Sequence, residues 1–216
     1  MVVPMSRREH LTNLYERYLK KRPRQSRSRT VVEAILRGAL DRLARGGDMS
    51  GLKVEDVAER AGVGIGSVYD YFADRDRLLA GALAKATEEN LVRFEEALVR
   101  VRTMPLRDAL GTIFDVAVEA YLDNRDLTRA YVRLANSNDL FPVLVRSQDA
   151  VAQQVAADFS RRDDVVMKDQ EVAAWLLTQA IMGITQAMVW DDEPRFDRAR
   201  VREGFVSMAH AYLTNP

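Results

Sequence analysis

The chain has 216 residues and a mass of 24.4 kDa, and 47% of its residues are apolar, which is enough to form one large domain or two small ones. It has no cysteine and only two histidines, which excludes disulfides, thiol nucleophiles and thiolate-bound metals and argues against a histidine-built metal site. The charged first 20 residues lack a long apolar run, so we expect no secretory signal and a soluble, cytoplasmic protein.

The charged residues are unevenly distributed along the chain. Residues 1–80 hold 16 basic and 11 acidic side chains, a net charge of +5, whereas residues 81–216 hold 16 and 21, a net charge of −5. The first 30 residues alone carry nine basic and two acidic groups, a net charge of +7. This pattern is typical of a segment that binds a polyanion such as nucleic acid, but it is equally consistent with a solvated basic tail that has no partner.

Apolar residues recur at helical spacing along almost the whole chain. In the first half, helices are predicted over 10–21, 30–43, 54–61, 65–72 and 74–101, with Asp74 placed to cap the last of them. In the second half, helices are predicted over 105–121, 127–135, 142–159, 171–190 and 196–213. Asp108, Asp115 and Glu119 share a helix face that we interpret as solvated rather than as a carboxylate site. No strand-like alternation extends over a useful length, so the sequence predicts an all-α protein.

Residues 172–190 contain no charged side chain. The segment is barely the length of a membrane span, and residues such as Gln179, Thr185 and Gly183 interrupt its apolar character and argue against one. An uncharged helix in a soluble protein must be covered on nearly every side, and the face that carries Trp175 and Met182 needs a cover of its own. We favour a dimer in which this helix and the last one pair with a symmetry mate, over a ligand cavity or a large monomer core.

Residues 53–72 have the spacing of a helix-turn-helix. The first short helix would bury Val57, and Gly62 stands where the chain reverses and a positive φ is often needed. The second helix would bury Val68 and Phe72.

The other side of the second helix would expose Ile65, Ser67, Tyr69 and Tyr71. Tyrosine and serine hydroxyls can donate to phosphate oxygens, and an isoleucine can contact a thymine methyl group. Gly64 and Gly66 leave no side-chain bulk at the start of this helix, which would allow a duplex to approach closely. The structural alternative is a helical corner with exposed aromatic residues.

These residues resemble the DNA-binding signature of the TetR family of transcriptional regulators. The similarity lies in Ala-Gly-Val at 61–63, a turn of small residues, Tyr-x-Tyr-Phe at 69–72, then Asp-Arg and a Leu-Leu pair, and it covers about residues 28–83 closely. Lys53 stands where the family often has a capping threonine that contacts phosphate, although a lysine still reaches a phosphate. Arg75 keeps the charge of a frequent lysine, and Gly64 occupies a position that is often polar.

The resemblance implies an N-terminal three-helix helix-turn-helix domain over 28–80 and a C-terminal helical effector-binding and dimerisation domain over 81–216, preceded by a basic extension over 1–27. It implies a homodimer through the last two helices, whose recognition helices enter successive major grooves of a palindromic double-stranded DNA operator about 34–36 Å apart. A small apolar or aromatic effector would release this repressor by preferring the conformation that does not bind the operator.

Carried over to this sequence, the DNA-binding residues are Lys53, Gly64, Ile65, Ser67, Tyr69, Tyr71 and Arg75. The side chains that could line an effector cavity are Phe114, Tyr121, Tyr131, Trp175, Gln179 and Met182, and each is also consistent with plain core or interface. We further expect Arg22–Arg29 to reach the DNA backbone or minor groove. No metal, cofactor or membrane partner is predicted.

Two other classes of protein remain as alternatives. The first is an all-helical enzyme or binding protein with an incidental basic end, and the second is a nonspecific nucleic-acid coat protein. Against the enzyme stand the absent cysteine, the two remote histidines and the absence of a Gly-rich phosphate loop or metal-ligand spacing. Sequence-specific binding to a short palindrome would separate the regulator from both.

Overall fold

The computed structural model describes residues 13–45, 51–123, 125–137 and 141–215, except the side chains of residues 131, 134–137, 141–144 and 146. All regular secondary structure in these ranges is helical, as predicted. After a 3-10 helix, Leu14–Tyr18, the α-helices are α1 (Ser26–Ala44), α2 (Val54–Ala61), α3 (Ile65–Tyr71), α4 (Arg75–Val101), α5 (Leu106–Leu122), α6 (Arg125–Ser137), α7 (Phe141–Phe159), α8 (Gln170–Trp190) and α9 (Arg198–Thr214).

The N-terminal end differs most from the sequence prediction. The helix predicted over 10–21 is, in its described part, the short 3-10 helix; its first residues, 10–12, lie outside the described residues. Asn13 takes a left-handed conformation with φ 65°, and the Lys20 amide donates to the Tyr71 carbonyl at 2.7 Å, so neither end continues as an α-helix. The backbone conformation here is therefore set in part by a hydrogen-bond partner that is distant in sequence.

Local capping sets the starts of α1 and α4. Helix α1 begins at Ser26 rather than Thr30, because the Ser28 hydroxyl donates to the Gln25 carbonyl and accepts from the Gln25 amide. Helix α4 is capped as predicted, with the Arg77 amide donating to Asp74 Oδ1 at 2.7 Å.

The described chain divides into two compact units. The first comprises the described residues of Met1–Glu89 and Arg125–Val143, and the second those of Asn90–Asn124 and Leu144–Pro216. The predicted boundary after residue 80 falls within α4 and inside the first unit, which extends along this helix to Glu89. Helix α6 belongs with the first unit because it packs against α1.

In the first unit, α1 and α2 cross closely. A Cβ atom on Gly38 would lie 3.1 Å from the Val57 carbonyl oxygen, so the crossing requires a very small residue. Two ion pairs join the same helices across their edges: Arg42 with Asp56 at 2.8 Å and Arg60 with Asp41 at 2.7 Å. The buried stripe of α1 consists of Val32, Ile35, Leu36, Ala39 and Leu43.

In the second unit, α5, α8 and α9 pack into one apolar core. The rings of Phe114 on α5 and Phe205 on α9 lie 5.3 Å apart, and Phe114 is completely buried. The carboxylates that we interpreted as a solvated face are partly engaged: Arg202 Nε donates to Asp115 at 2.8 Å, and Arg198 pairs with Glu119 at 2.9 Å. Glu119 stays exposed and Asp115 is half-buried, so this face is solvated in part, and two of its carboxylates are paired with arginines of α9.

Within the described residues, α8 is the one helix that is long and apolar enough to cross a membrane. Ala173, Ala174 and Leu177 lie buried in the core of the second unit. Packing against α5 and α9 therefore accounts for the apolar character of this face without a membrane.

The predicted charged loop after α7 joins the ends of two other helices. Arg162 Nη2 donates to the Met104 carbonyl at 2.7 Å, and Asp164 Oδ2 accepts from the Leu106 amide at 3.2 Å. The hydrogen bond from Arg162 holds the pKa of the Asp164 carboxyl below its ordinary value. The loop thus caps both sides of the turn between α4 and α5.

Candidate nucleic-acid interface

The turn between α2 and α3 has the geometry predicted for it. Gly62 has φ 67°, a left-handed conformation that favours glycine. The Gly62 amide donates to the Glu59 carbonyl and the Val63 amide to the Ala58 carbonyl, both at 3.0 Å, which closes the end of α2. The first helix therefore stops abruptly, and α3 starts in a new direction at Ile65.

Helix α3 has one buried side and one exposed side. Val68 and Phe72 are each 1% exposed, whereas Ile65 is 39% and Tyr69 44% exposed. Tyr71, like Ser67, is half-buried. The predicted core side of this helix is therefore confirmed, and of the residues predicted on its exposed side Ile65 and Tyr69 are exposed whereas Ser67 and Tyr71 are partly covered.

Gly64 and Gly66 are exposed at the start of α3, and neither position requires glycine for steric reasons within this chain. Neither has a positive φ, and a Cβ atom on either would meet no other atom within 4 Å. Glycine inside a helix costs stability relative to alanine. Gly64 is the N-cap of α3, a position that glycine suits, so only Gly66, inside the helix, lacks a reason in the fold. The space in front of both glycines is free for an external partner.

Of the two basic residues predicted to contact phosphate, only Lys53 is exposed. Lys53 stands at the N-cap of α2 and makes no side-chain cap bond. Arg75 Nε instead donates to the Leu52 carbonyl at 2.8 Å, and its Nη2 is buried without a hydrogen-bond partner among the described residues. Arg75 thus holds the chain segment before α2 and would have to turn away from it to reach a phosphate.

Two lysines that sequence reasoning left out lie against α3. Lys20 Nζ donates to the Tyr69 carbonyl at 2.9 Å, in addition to the amide bond to Tyr71. Lys21 Nζ lies 3.5 Å from Asp70 Oδ2 and 5.0 Å from the centre of the Tyr71 ring. Apart from the basic composition of the segment, nothing in the sequence points to these contacts, because the partners are 49 residues apart in the chain.

The predicted effector residues do not share one environment. Phe114 belongs to the core, and Trp175 is 46% exposed on α8. Tyr121, Gln179 and Met182 are half-buried. The side chain of Tyr131 lies outside the described residues. Sequence reasoning missed Thr185, whose hydroxyl is buried on α8 without a hydrogen-bond partner in the described part of the chain.

These features define a helix-turn-helix regulatory fold, with a short recognition helix in the first unit and a larger helical core in the second. Residues 35–82 match the model described as bacterial regulatory proteins of the tetR family, and residues 105–213 match the tetracyclin repressor-like C-terminal domain. The second match covers just over half of the chain. The chain therefore belongs to the TetR family.

Individual relatives agree with this assignment. An HTH-type transcriptional regulator of Staphylococcus aureus is 28% identical over 105 residues, so the match spans 49% of this chain and about half, 53%, of that protein. A TetR-family regulator of Mesorhizobium loti superposes with a TM-score of 0.70 at 19% identity, over 88% of this chain and 98% of that one. A transcriptional regulator of Rhodococcus sp. has a TM-score of 0.66 at 21% identity, over 84% and 95%. Because these proteins are regulators, the family assignment argues against the enzyme alternative.

Proposed function

We propose that this protein is a ligand-responsive transcriptional repressor that binds a pseudo-palindromic DNA operator as a homodimer. The observation that carries the proposal is the exposed side of α3, where Ile65, Tyr69 and two unshielded glycines stand with no neighbour from the chain in front of the glycines. An unoccupied surface of this composition on a helix-turn-helix fits the floor of a major groove.

In this proposal α3 lies in the major groove. The Ser67 and Tyr69 hydroxyls donate to phosphate oxygens, and Ile65 contacts a base edge. Gly64 and Gly66 allow the helix backbone to approach the duplex.

Basic residues near the start of α1 support an anionic partner. Arg24 precedes the helix, Arg27 and Arg29 lie near its start, and its first turn contains no acidic residue. The N-terminal end of a helix already carries partial positive charge, so these arginines are unfavourable there until an anion such as phosphate approaches. They would contact DNA from a folded helix rather than from an extended arm.

The homodimer would form through α8 and α9. The exposed stripe of α8 consists of Val172, Trp175, Leu176, Gly183, Gln186, Ala187 and Trp190, and α9 adds Met208, which is 52% exposed. No charged side chain lies between 172 and 190, so exposure of this stripe to water is unfavourable. A second copy presenting the same stripe would bury it in a self-complementary interface.

The effector would bind in the second unit, lined by Tyr121, Gln179 and Met182. The Thr185 hydroxyl, buried on the same helix as Gln179 and Met182, supports a polar contact with a ligand, because an unpaired buried hydroxyl costs about 1–3 kcal/mol that a ligand acceptor would offset. A multidrug-binding protein crystallised with imidazole has a similar fold, with a TM-score of 0.60 at 22% identity over 86% of this chain and 96% of that one. Release of the operator requires that the effector bind the non-operator conformation more tightly.

The proposal is tested by selecting duplexes from a random pool with the purified protein, followed by affinity measurements on the selected palindrome. Tyr69→Ala should weaken binding by about tenfold or more. Tyr69→Phe, which keeps the ring and removes only the hydroxyl, should recover the part of this loss that is due to contacts of the ring. Val99→Ala, at an exposed position of α4, is the control and should bind normally. Failure to enrich any duplex, or full affinity of Tyr69→Ala with its helicity and dimer intact, would contradict the proposal.

A further inference from the structure

We infer that the N-terminal segment, residues 13–22, is a part of the DNA-reading unit that caps the recognition helix α3 and offsets the negative charge of Asp70 on it. This inference rests on the proposed DNA-binding function. It concerns Lys20 and Lys21 in particular, whose contacts with α3 are described above.

Helix α3 lacks the charge expected of a helix that faces a polyanion. Its seven residues include no lysine or arginine, and Asp70 is exposed on it. A carboxylate there repels nearby phosphates. The carbonyl groups of its last turn also need partners and form the negative end of the helix dipole.

Lys20 provides hydrogen-bond donors for the carbonyl groups in the last turn of α3. Its amide donates to the Tyr71 carbonyl at 2.7 Å and its Nζ donates to the Tyr69 carbonyl at 2.9 Å, so one residue satisfies two carbonyls of the last turn. The cation also stands at the negative end of the helix, where it is favourable. Lys20 therefore fixes the position at which α3 ends.

Lys21 offsets the negative charge that Asp70 places on α3. Its Nζ lies 3.5 Å from Asp70 Oδ2, and the same ammonium lies 5.0 Å from the centre of the Tyr71 ring. Pairing reduces the repulsion between Asp70 and a phosphate backbone. The contact also gives Tyr71 a fixed neighbour on its solvent side.

The N-terminal segment is packed firmly against the first unit, as a segment that positions Lys20 and Lys21 must be. Leu14 and Tyr18 are each 7% exposed, and a Cβ atom on Gly81 would lie 3.6 Å from Tyr18 Cβ, so the segment seats closely on α4. The Tyr15 amide donates to Glu88 Oε1 at 3.4 Å as a further link. Because the side chains of Leu14 and Tyr18 are core residues, the segment is a structural part of the first unit.

The role of Lys21 is tested by measuring affinity for the duplex selected by the unmodified protein. Lys21→Met should weaken binding about fivefold with Asp70 present, and less than about twofold in an Asp70→Asn background. Lys168→Met, an exposed lysine of the second unit, is the matched control and should change nothing. An equal loss in both backgrounds, with a salt slope reduced by about one, would instead assign Lys21 a direct phosphate contact and overturn the inference. No loss in either background would overturn it as well.

The role of Lys20 is tested without DNA. Lys20→Met keeps the amide bond but removes the bond to the Tyr69 carbonyl, so the amides of α3 should exchange hydrogen about threefold faster or more, while overall helicity is unchanged. Unchanged exchange would overturn the capping role. If the unmodified protein selected no duplex, the proposed function would fail while this exchange result still decided the capping role.

Discussion

Gly66, the second residue of α3, has a cost to the fold that its surroundings do not explain. A side chain there would meet no atom of the chain within 4 Å, and glycine in a helix is less stable than alanine. We predict that Gly66→Ala raises the free energy of unfolding by about 0.5–1 kcal/mol and at the same time lowers affinity for the selected duplex. Urea unfolding and titration of that duplex check the two effects.

Gly81 provides the contrasting variant. A Cβ atom there would lie 3.0 Å from Phe72 Cε1 and 3.4 Å from Leu36 Cδ2, so Gly81→Ala should crowd the core and forgo the gain in stability expected of Gly66→Ala, and DNA affinity should change only as far as the fold is weakened. If Gly66→Ala gained stability and kept full DNA affinity, glycine at this position would have no role at an interface.

The 3-10 helix and α4 meet at a buried carboxyl group. Glu88 is 8% exposed, and burial raises the pKa of its carboxyl from the ordinary 4.5 to about 7, although Lys85 on the same helix lowers it in part. The folded protein therefore holds this proton more tightly than the unfolded chain does. The resulting stabilisation is complete below pH 4.5 and is lost as the pH rises towards 7.

We predict that the free energy of unfolding falls by up to about 3 kcal/mol between pH 4.5 and pH 7 on account of this group. Glu88→Gln, which keeps an acceptor for the Tyr15 amide and has no charge, should flatten that dependence and stabilise the protein at about pH 8. Urea unfolding at several pH values measures this. Glu89→Gln, at the exposed neighbouring position, serves as the control, and an unaltered pH slope in Glu88→Gln would refute the prediction.

In the proposed homodimer, operator binding by the whole molecule depends on two copies of α3, so the α8 and α9 stripe should control it. We predict that Leu176→Glu, at a position 44% exposed, converts a dimer into the 24.4 kDa monomer, because burying two unpaired carboxylates at a symmetric interface is unfavourable. Light scattering after size exclusion measures the mass. DNA affinity should fall with it, since a monomer binds only one half-site.

Val92→Glu is the matched control, since Val92 is an exposed apolar residue of α4 outside the stripe. It should leave both mass and DNA affinity unchanged. A Leu176→Glu protein that remained dimeric would place the interface elsewhere on the molecule.

Several features of the protein followed from residues that are close together in sequence. The period of apolar side chains placed the helices from α1 to α9 and separated Val68 and Phe72 from the exposed side of α3. Gly62 and Asp74 marked a turn and a cap correctly, because each acts through bonds that reach only a few residues along the chain. The family resemblance also depended on such a contiguous stretch.

Other features depended on how the helices pack. Arg75 bonds a carbonyl 23 residues away, Lys20 one 49 residues away, and Arg202 a carboxylate 87 residues away. Periodicity indicates which face of a helix is buried, but it carries no information about which distant helix supplies the partner. Whether a basic residue is free to bind phosphate or is held by the protein's own backbone was therefore settled by the packing of the elements in three dimensions.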